Sequence, residues 1–286
     1  MEKIGFIGLG IMGKPMALNL IKAGYEVSVL ASSKEAQALT DAGATIHESP
    51  KTMAEANDVI ITMLPDSPQV EDIVLGANGV IEGIDAGKLY VDMSTIAPST
   101  SKDIYQKMKD KGVEALDAPV SGGQVGAETA SLSIMVGGNP VAFERALPMF
   151  KAMGKNIVLI GEPGAGQTTK ACNQVIVGMT IQAVAEAFTM AKEAGVDLEK
   201  MREVLLGGFA QSRILDLHGK RIIEENFKPG FKIKLHKKDL DIALKTGESL
   251  GVSMEGTAQV ASQMTKAIEQ GKGEFDHSAL YLMLQK

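Results

Sequence analysis

The chain has 286 residues, 45% hydrophobic and 22% charged, with a net charge of −6 at pH 7. That length allows two ordinary domains with a sizeable core, and the acidic balance argues against a nucleic-acid partner. A single cysteine, Cys172, excludes an intrachain disulfide and fits a reducing compartment.

Residues 3–7 form a short apolar run without polar alternation, as expected of a strand buried in a parallel sheet. A strand starting so early leaves no room for a signal peptide, so the chain is expected in the cytoplasm. The run leads into Gly8-Leu9-Gly10-Ile11-Met12-Gly13 and then a helical stretch that Gly24 ends. This is a G-x-G-x-x-G turn in the strand–turn–helix setting that dinucleotide binding requires. Gly8 serves the tight turn, Gly10 the approach of a pyrophosphate, and Gly13 the close packing of helix on strand. The helix N-terminus offers unpaired N–H groups to the phosphates.

A second strand over 26–30 ends in Ala31-Ser32-Ser33-Lys34, with no acid until Glu35. An NAD site usually places an acid here for the ribose 2′-hydroxyl. The hydroxyls of Ser32 and Ser33 and the ammonium of Lys34 suit a 2′-phosphate instead, which favours NADP(H) over NAD(H). The alternative is a solvated turn that leaves the preference loose. Further apolar runs at 58–63, 88–93, 113–116, 131–136 and 156–160 alternate with helix-length segments. Such alternation implies βαβ units, a mostly parallel sheet, and ligands beyond the strands' carboxyl ends. The segments placed there are Met63-Leu64-Pro65, Ser94-Thr95 and Asp117-Ala118-Pro119-Val120-Ser121-Gly122-Gly123. In the last, a hydroxyl and two glycine N–H groups suit a carboxylate, although an ordinary glycine-rich turn reads the same.

From Gln167 to Ala194 the only glycine is Gly178 and there is no proline. Such a helix would run roughly 40 Å, and being apolar on every side it is expected to be buried, with Cys172 in its core. Gln182 and Glu186 interrupt it as a membrane span, so no membrane partner is expected. At its start Lys170, Asn173 and Gln174 share one face at i, i+3 and i+4. We read them as a catalytic lysine with its orienting amide. After Gly195 only helices follow: one capped by Asp197, then 212–225, 234–250, 255–270 and a last turn at 278–284. The fold class is therefore α/β: a Rossmann-like doubly wound N-terminal domain (1–162) and an all-α C-terminal domain (163–286), joined by the long helix. His47, His218, His236 and His277 show no metal-ligand spacing, so no metal is expected. By charge pattern alone Lys237 and Lys238 read as a solvated face.

Taken together, "GFIGLGIMGKPMALNL", "DAPVSGG", "GAGQTTKACNQ" and "FKPGFKIKLHKKDL" resemble, in order and over the whole chain, the β-hydroxyacid dehydrogenase family. "DVIITMLPDSP" and "DHSAL" look most like its tartronate semialdehyde reductase branch. The resemblance implies an NAD(P)-dependent reductase of a small carboxylate-bearing aldehyde that oligomerises through its α-helical domain. Lys170 matches the catalytic lysine and Asn173 the substrate-orienting amide. Ser121, Gly122 and Gly123 match the carboxylate loop, Thr95 a contact beside the nicotinamide, and Lys238 a cofactor contact. Met63, Leu64, Pro65 and Phe231 are placed with the cofactor residues. Two departures stand out: Ala130 where the family usually has Gly, and the missing acid after the second strand. A dinucleotide-binding sensor would not need Lys170 and Asn173.

Overall fold

The computed structural model describes residues 1–285. It contains two compact units, Met1–Lys170 and Ala171–Lys286. The strands are β1 (Ile4–Ile7), β2 (Val27–Leu30), β3 (Thr45–His47), β4 (Val59–Thr62), β5 (Leu89–Asp92), β6 (Glu114–Asp117), β7 (Val120–Ser121), β8 (Leu132–Gly138) and β9 (Gly154–Gly161). The helices are α1 (Gly13–Lys22), α2 (Ala36–Thr40), α3 (Pro50–Ala56), α4 (Ser67–Leu75), α5 (Val80–Gly83), α6 (Pro98–Asp110), α7 (Gly123–Glu128), α8 (Pro140–Met153), α9 (Ala165–Glu193), α10 (Leu198–Leu206), α11 (Arg213–Ile223), α12 (Ile233–Ser249) and α13 (Glu255–Glu269). A 3-10 helix, His277–Leu284, closes the chain.

Among the described residues of the first unit, all nine strands form one sheet in the order β3-β2-β1-β4-β5-β6-β8-β7, with β9 paired to β8. The strands from β3 to β6 pair in parallel. Alternate residues serve opposite faces, as the two-residue period requires. Ile4, Phe6, Val59, Ile61, Leu89 and Val91 join one core with residues of α1 and α8. Ile7, Ile60 and Tyr90 join another with residues of α3, α4 and α6. Helices on both faces explain why these strands lack polar alternation.

The sheet departs from the expected pattern beyond β6. Ala118-Pro119 separates β6 from β7, and β8 runs antiparallel to both. Its pairing with β9 is parallel again. β3 escaped notice in the sequence because it is three residues long and largely exposed at the sheet edge.

Within the second unit, two clusters line the α9 residues. Ile181 packs with Ile233, Leu240, Val260, Met264 and Leu280. Val184, Ala185 and Phe188 pack with Leu215, Ile222 and Tyr281. Asp197 caps α10 by accepting from the N–H groups of Glu199 and Lys200, and Ser212 caps α11 from Leu215. α9 is long and apolar enough to cross a membrane by length and composition, but it is not buried all round. Ile176 and Met190 are 65% and 73% exposed, and Cys172 is exposed too. The expectation of a wholly buried helix with a core thiol is therefore corrected. The partner helices occupy one side of α9, and composition alone carries no information about which side that is.

Candidate active site

The sheet reverses direction of growth between β1 and β4, the switch point beyond which doubly wound sheets bind their ligands. The Gly8–Gly13 turn leaves β1 there. Gly8 has φ +104°, and a side chain on it would meet the Met63 carbonyl oxygen at 2.2 Å. A side chain on Gly13 would lie 1.8 Å from the Gly8 carbonyl oxygen. Both glycines are required by the fold itself. Gly10 is different: a Cβ there meets nothing within 4 Å. The glycine that the fold does not need faces open space, as a backbone reserved for a pyrophosphate should. Leu9 is buried, Ile11 exposed and Met12 half-buried. The donor set and the open cradle fit a dinucleotide.

After β2, Ser32 and Lys34 are exposed and Ser33 is half-buried. The Ser33 Oγ accepts from the Glu35 N–H at 3.3 Å. Glu35, the first acid past this strand, is held by Lys14 at 2.6 Å, so its charge is already committed.

A buried set of polar groups ties the next loops together. The Leu64 N–H, in the Met63-Leu64-Pro65 segment past β4, donates to Ser94 Oγ at 2.8 Å. The Ser94 carbonyl accepts from Gln167 Nε2 at 2.8 Å, and Gln167 Oε1 accepts from the Ile96 N–H at 3.1 Å. Asp117, at the end of β6, accepts from the N–H groups of Gly164 and Gln167 at 2.7 and 2.8 Å. Together Asp117 and Gln167 moor the first turn of α9 to the carboxyl ends of β5 and β6. Lys170 follows one turn later and is 6% exposed. Thr95, next to Ser94, is half-buried. Burial raises the pKa of the Asp117 carboxyl, against the lowering effect of the backbone N–H groups.

Ser121 ends β7, and Gly122 and Gly123 follow with φ +140° and +61°. These values are why glycines stand here. A side chain on Gly123 would meet nothing within 4 Å, so the loop presents its backbone to open space. Downstream, Ala130 has φ +50°, the left-handed region where a glycine is favoured.

In the second unit, Asn173 Nδ2 donates to Gln174 Oε1 at 2.8 Å, and Gln174 Nε2 donates to Asp239 Oδ2. Lys238 Nζ lies 2.9 Å from Asp239 Oδ1 with its side chain 19% exposed. The solvated-face reading of Lys238 is thus corrected, because its neighbour's buried carboxylate draws it in. Three of the four histidines also prove not to be scattered. His236 Nε2 donates to the Gln174 carbonyl at 3.1 Å, which leaves His236 Nδ1 to accept from His277 Nδ1 at 2.9 Å. Burial keeps His277 neutral by driving its pKa well below the usual range, with His236 adding to the effect. His218, Asp276 and His277 bring their ligand-type atoms within 4.8 Å of one another. Asp276, however, already accepts from Gly230 N–H, Phe231 N–H, Ser278 N–H and Ser278 Oγ. Arg221 stands 3.8 Å away, so a cation already answers this carboxylate. Burial opposes its ionisation, yet hydrogen bonding from His218, Ser278 and the Phe231 N–H holds its carboxyl well below the usual range. The cluster braces the backbone at Phe231, which is half-buried.

Residues 3–161 match the family model described as the NAD binding domain of 6-phosphogluconate dehydrogenase. Residues 164–284 match the one described as NAD-binding of NADP-dependent 3-hydroxyisobutyrate dehydrogenase. The 2-hydroxy-3-oxopropionate reductase of Escherichia coli is 46% identical over 283 residues, covering 99% of this chain and 97% of that protein. The chain belongs to the β-hydroxyacid dehydrogenase family. The NAD-dependent L-serine dehydrogenase of Pseudomonas aeruginosa is 35% identical over 98% of this chain and 97% of its own. Among solved structures, Mycobacterium tuberculosis 3-hydroxyisobutyrate dehydrogenase with L-serine superposes with a TM-score of 0.92 at 30% identity, covering both chains fully. The enzyme is thus an NAD(P)-binding oxidoreductase whose relatives act on different hydroxy acids.

Membership gives added weight to residues that sequence reasoning left without a role. Asp117 and Gln167 lie inside two of the recognised motifs, yet neither was singled out as the mooring of α9. The available signal was an acid ending an apolar strand and an amide opening an apolar helix. Gln174 reads in the sequence only as a polar neighbour, and Asp239 only as the acid that follows Lys238 in its motif.

Proposed function

We propose that the enzyme reduces tartronate semialdehyde (2-hydroxy-3-oxopropionate) to glycerate, with NADPH favoured over NADH. The observation that carries the catalytic part is Lys170, a buried amine placed one turn beyond a doubly anchored helix start. A dinucleotide bound with its pyrophosphate on the Gly8–Gly13 turn would supply the hydride from its nicotinamide. Lys170, as an ammonium, hydrogen-bonds the aldehyde oxygen, stabilises the negative charge developing on it, and donates the proton. Asn173 orients the substrate, and Ser121, Gly122 and Gly123 bind its carboxylate. Thr95, Met63, Leu64, Pro65, Phe231 and Lys238 line the cofactor.

The 46% relationship to a 2-hydroxy-3-oxopropionate reductase supports the choice of substrate. The hydroxyls of Ser32 and Ser33, the exposed Lys34 and the commitment of Glu35 to Lys14 support the choice of NADPH. The exposed apolar side chains of α9 support a homo-oligomer formed through the α-helical unit, and the isolated thiol supports a cytoplasmic setting. The test is coenzyme consumption with tartronate semialdehyde, glyoxylate, succinic semialdehyde and methylmalonate semialdehyde, each with NADPH and NADH. Highest kcat/KM for tartronate semialdehyde with NADPH is expected; a stronger preference for any other pairing overturns the assignment. Lys170→Met should lower kcat by about 10²–10⁴-fold, the usual contribution of general acid catalysis, while cofactor affinity stays within about threefold. Near-normal turnover in that variant removes Lys170 from the mechanism.

A further inference from the structure

The mechanism above makes no use of Asp92, although this carboxyl is 3% exposed at the end of β5. Its Oδ1 accepts from Thr62 Oγ1 at 2.8 Å and from the Ser94 N–H at 3.1 Å. Its Oδ2 is buried without a hydrogen-bond partner among the described residues. The side chain faces Asp117 across paired positions of β5 and β6, and Tyr90, Ser101 and Tyr105 line the same small cavity. What gives Asp92 its reach is the residue it holds. Ser94 is the junction of the site: its hydroxyl fixes the Leu64 N–H and its carbonyl fixes Gln167. Only its own N–H remains to set the angle of the turn, and Asp92 Oδ1 takes that N–H.

We propose that Asp92 is a positioning residue which, through the Ser94 amide, keeps the Leu64 loop and the first turn of α9 in mutual register. The proposal rests on the reading of Leu64 as a cofactor contact and Lys170 as the proton donor. Its device is acceptor geometry and not charge. Burial pushes the Asp92 pKa up to about 6, with Asp117 adding to the rise, and Oδ1 can accept these two bonds in either protonation state. An amide at this position should therefore serve, whereas an apolar group of similar shape should not.

The test compares Asp92→Leu with Asp92→Asn in the full-length enzyme, by calorimetric titration with NADPH and by steady-state kinetics. Asp92→Leu should weaken NADPH binding and lower kcat by about tenfold each, the scale of one buried hydrogen bond, with the aldehyde KM changed less than about threefold. Asp92→Asn should stay within about threefold of the parent on both measures. A merely structural Asp92 would lower the melting temperature of the leucine variant and leave NADPH affinity and kcat of the folded enzyme intact; that result overturns the proposal. So does an asparagine variant as impaired as the leucine one. If Asp92→Leu does not fold, Ser94→Ala takes its place, removing the acceptor of the Leu64 N–H together with the hydroxyl's own interaction with Asp92. It should weaken NADPH binding about fivefold, and unchanged affinity overturns the proposal equally. Because the affinity readout needs neither an aldehyde nor Lys170, failure of the catalytic assignment, seen as an active Lys170→Met, is distinguishable from failure of this one.

Discussion

Gln167 offers the most direct check on how the lysine is held. Gln167→Met keeps the length and roughly the volume of the side chain, so a cavity term is small. It removes both polar ends, stranding the Ile96 N–H and the Ser94 carbonyl in a place where Gln167 itself is 1% exposed. An orphaned buried group costs about 1–3 kcal/mol, so the pair should cost roughly 3 kcal/mol after the thioether regains some packing. In a unit of this size each kcal/mol moves the melting temperature by about 2–4 °C, which gives a fall of roughly 6–12 °C. Asp117 still holds the Gly164 and Gln167 N–H groups, so the helix start should shift without unravelling. A displacement of about 1 Å in a catalytic group costs up to about 10²-fold, and kcat should drop by about 10–100-fold. Differential scanning fluorimetry and steady-state rates on the same preparation supply both numbers. A variant melting within about 2 °C of the parent with full turnover would show that the brace does not position Lys170.

Three further expectations follow from single positions. Ala130→Gly should stabilise the protein by about 0.5–1 kcal/mol, because φ +50° strains any side chain there; a lower urea midpoint would contradict this. Gly10→Ala should fold like the parent, since its Cβ meets nothing within 4 Å, yet bind NADPH at least about tenfold more weakly by crowding the phosphates; native affinity would displace the pyrophosphate from this turn. The third concerns pH. The Asp92 carboxyl titrates at about 6 in the folded chain against an ordinary 3.8. A raised acid favours the folded state fully below the lower value and loses that advantage as pH climbs through the upper one. The stability of Asp92→Asn relative to the parent should therefore rise by about 2 kcal/mol between roughly pH 4.5 and 7.5. Urea midpoints of the two proteins at both pH values give the difference, and a constant gap would refute the burial argument.

Much of the first unit was legible because its signals are local. Gly8, Gly10 and Gly13 announce a turn and apolar runs announce buried strands; in the second unit, Asp197 and Ser212 announce helix starts in the same local way. The long helix was legible from the lack of breakers between Gln167 and Ala194, and Ala130 from its departure from the family pattern. What escaped was set by contacts distant in sequence. β7 is two residues of strand created by its pairing with β8. The Asp92–Ser94–Gln167 and Asp117–Gln167 connections span separations that no window reads. His236 and His277 stand 41 positions apart and meet only because α12 and the terminal 3-10 helix pack together. The apolar run of α9 concealed which of its sides would be covered, since Ile176 and Ile181 look alike in sequence and differ wholly in exposure.

The three glycines of the first turn answer to different masters. Two are demanded by carbonyl oxygens of the chain, so any descendant that still folds must keep them. The third is demanded only by a visitor. A descendant that gave up its coenzyme while keeping its architecture would be free to drift at position 10 first, which makes that residue a marker of whether a related chain still works as an oxidoreductase.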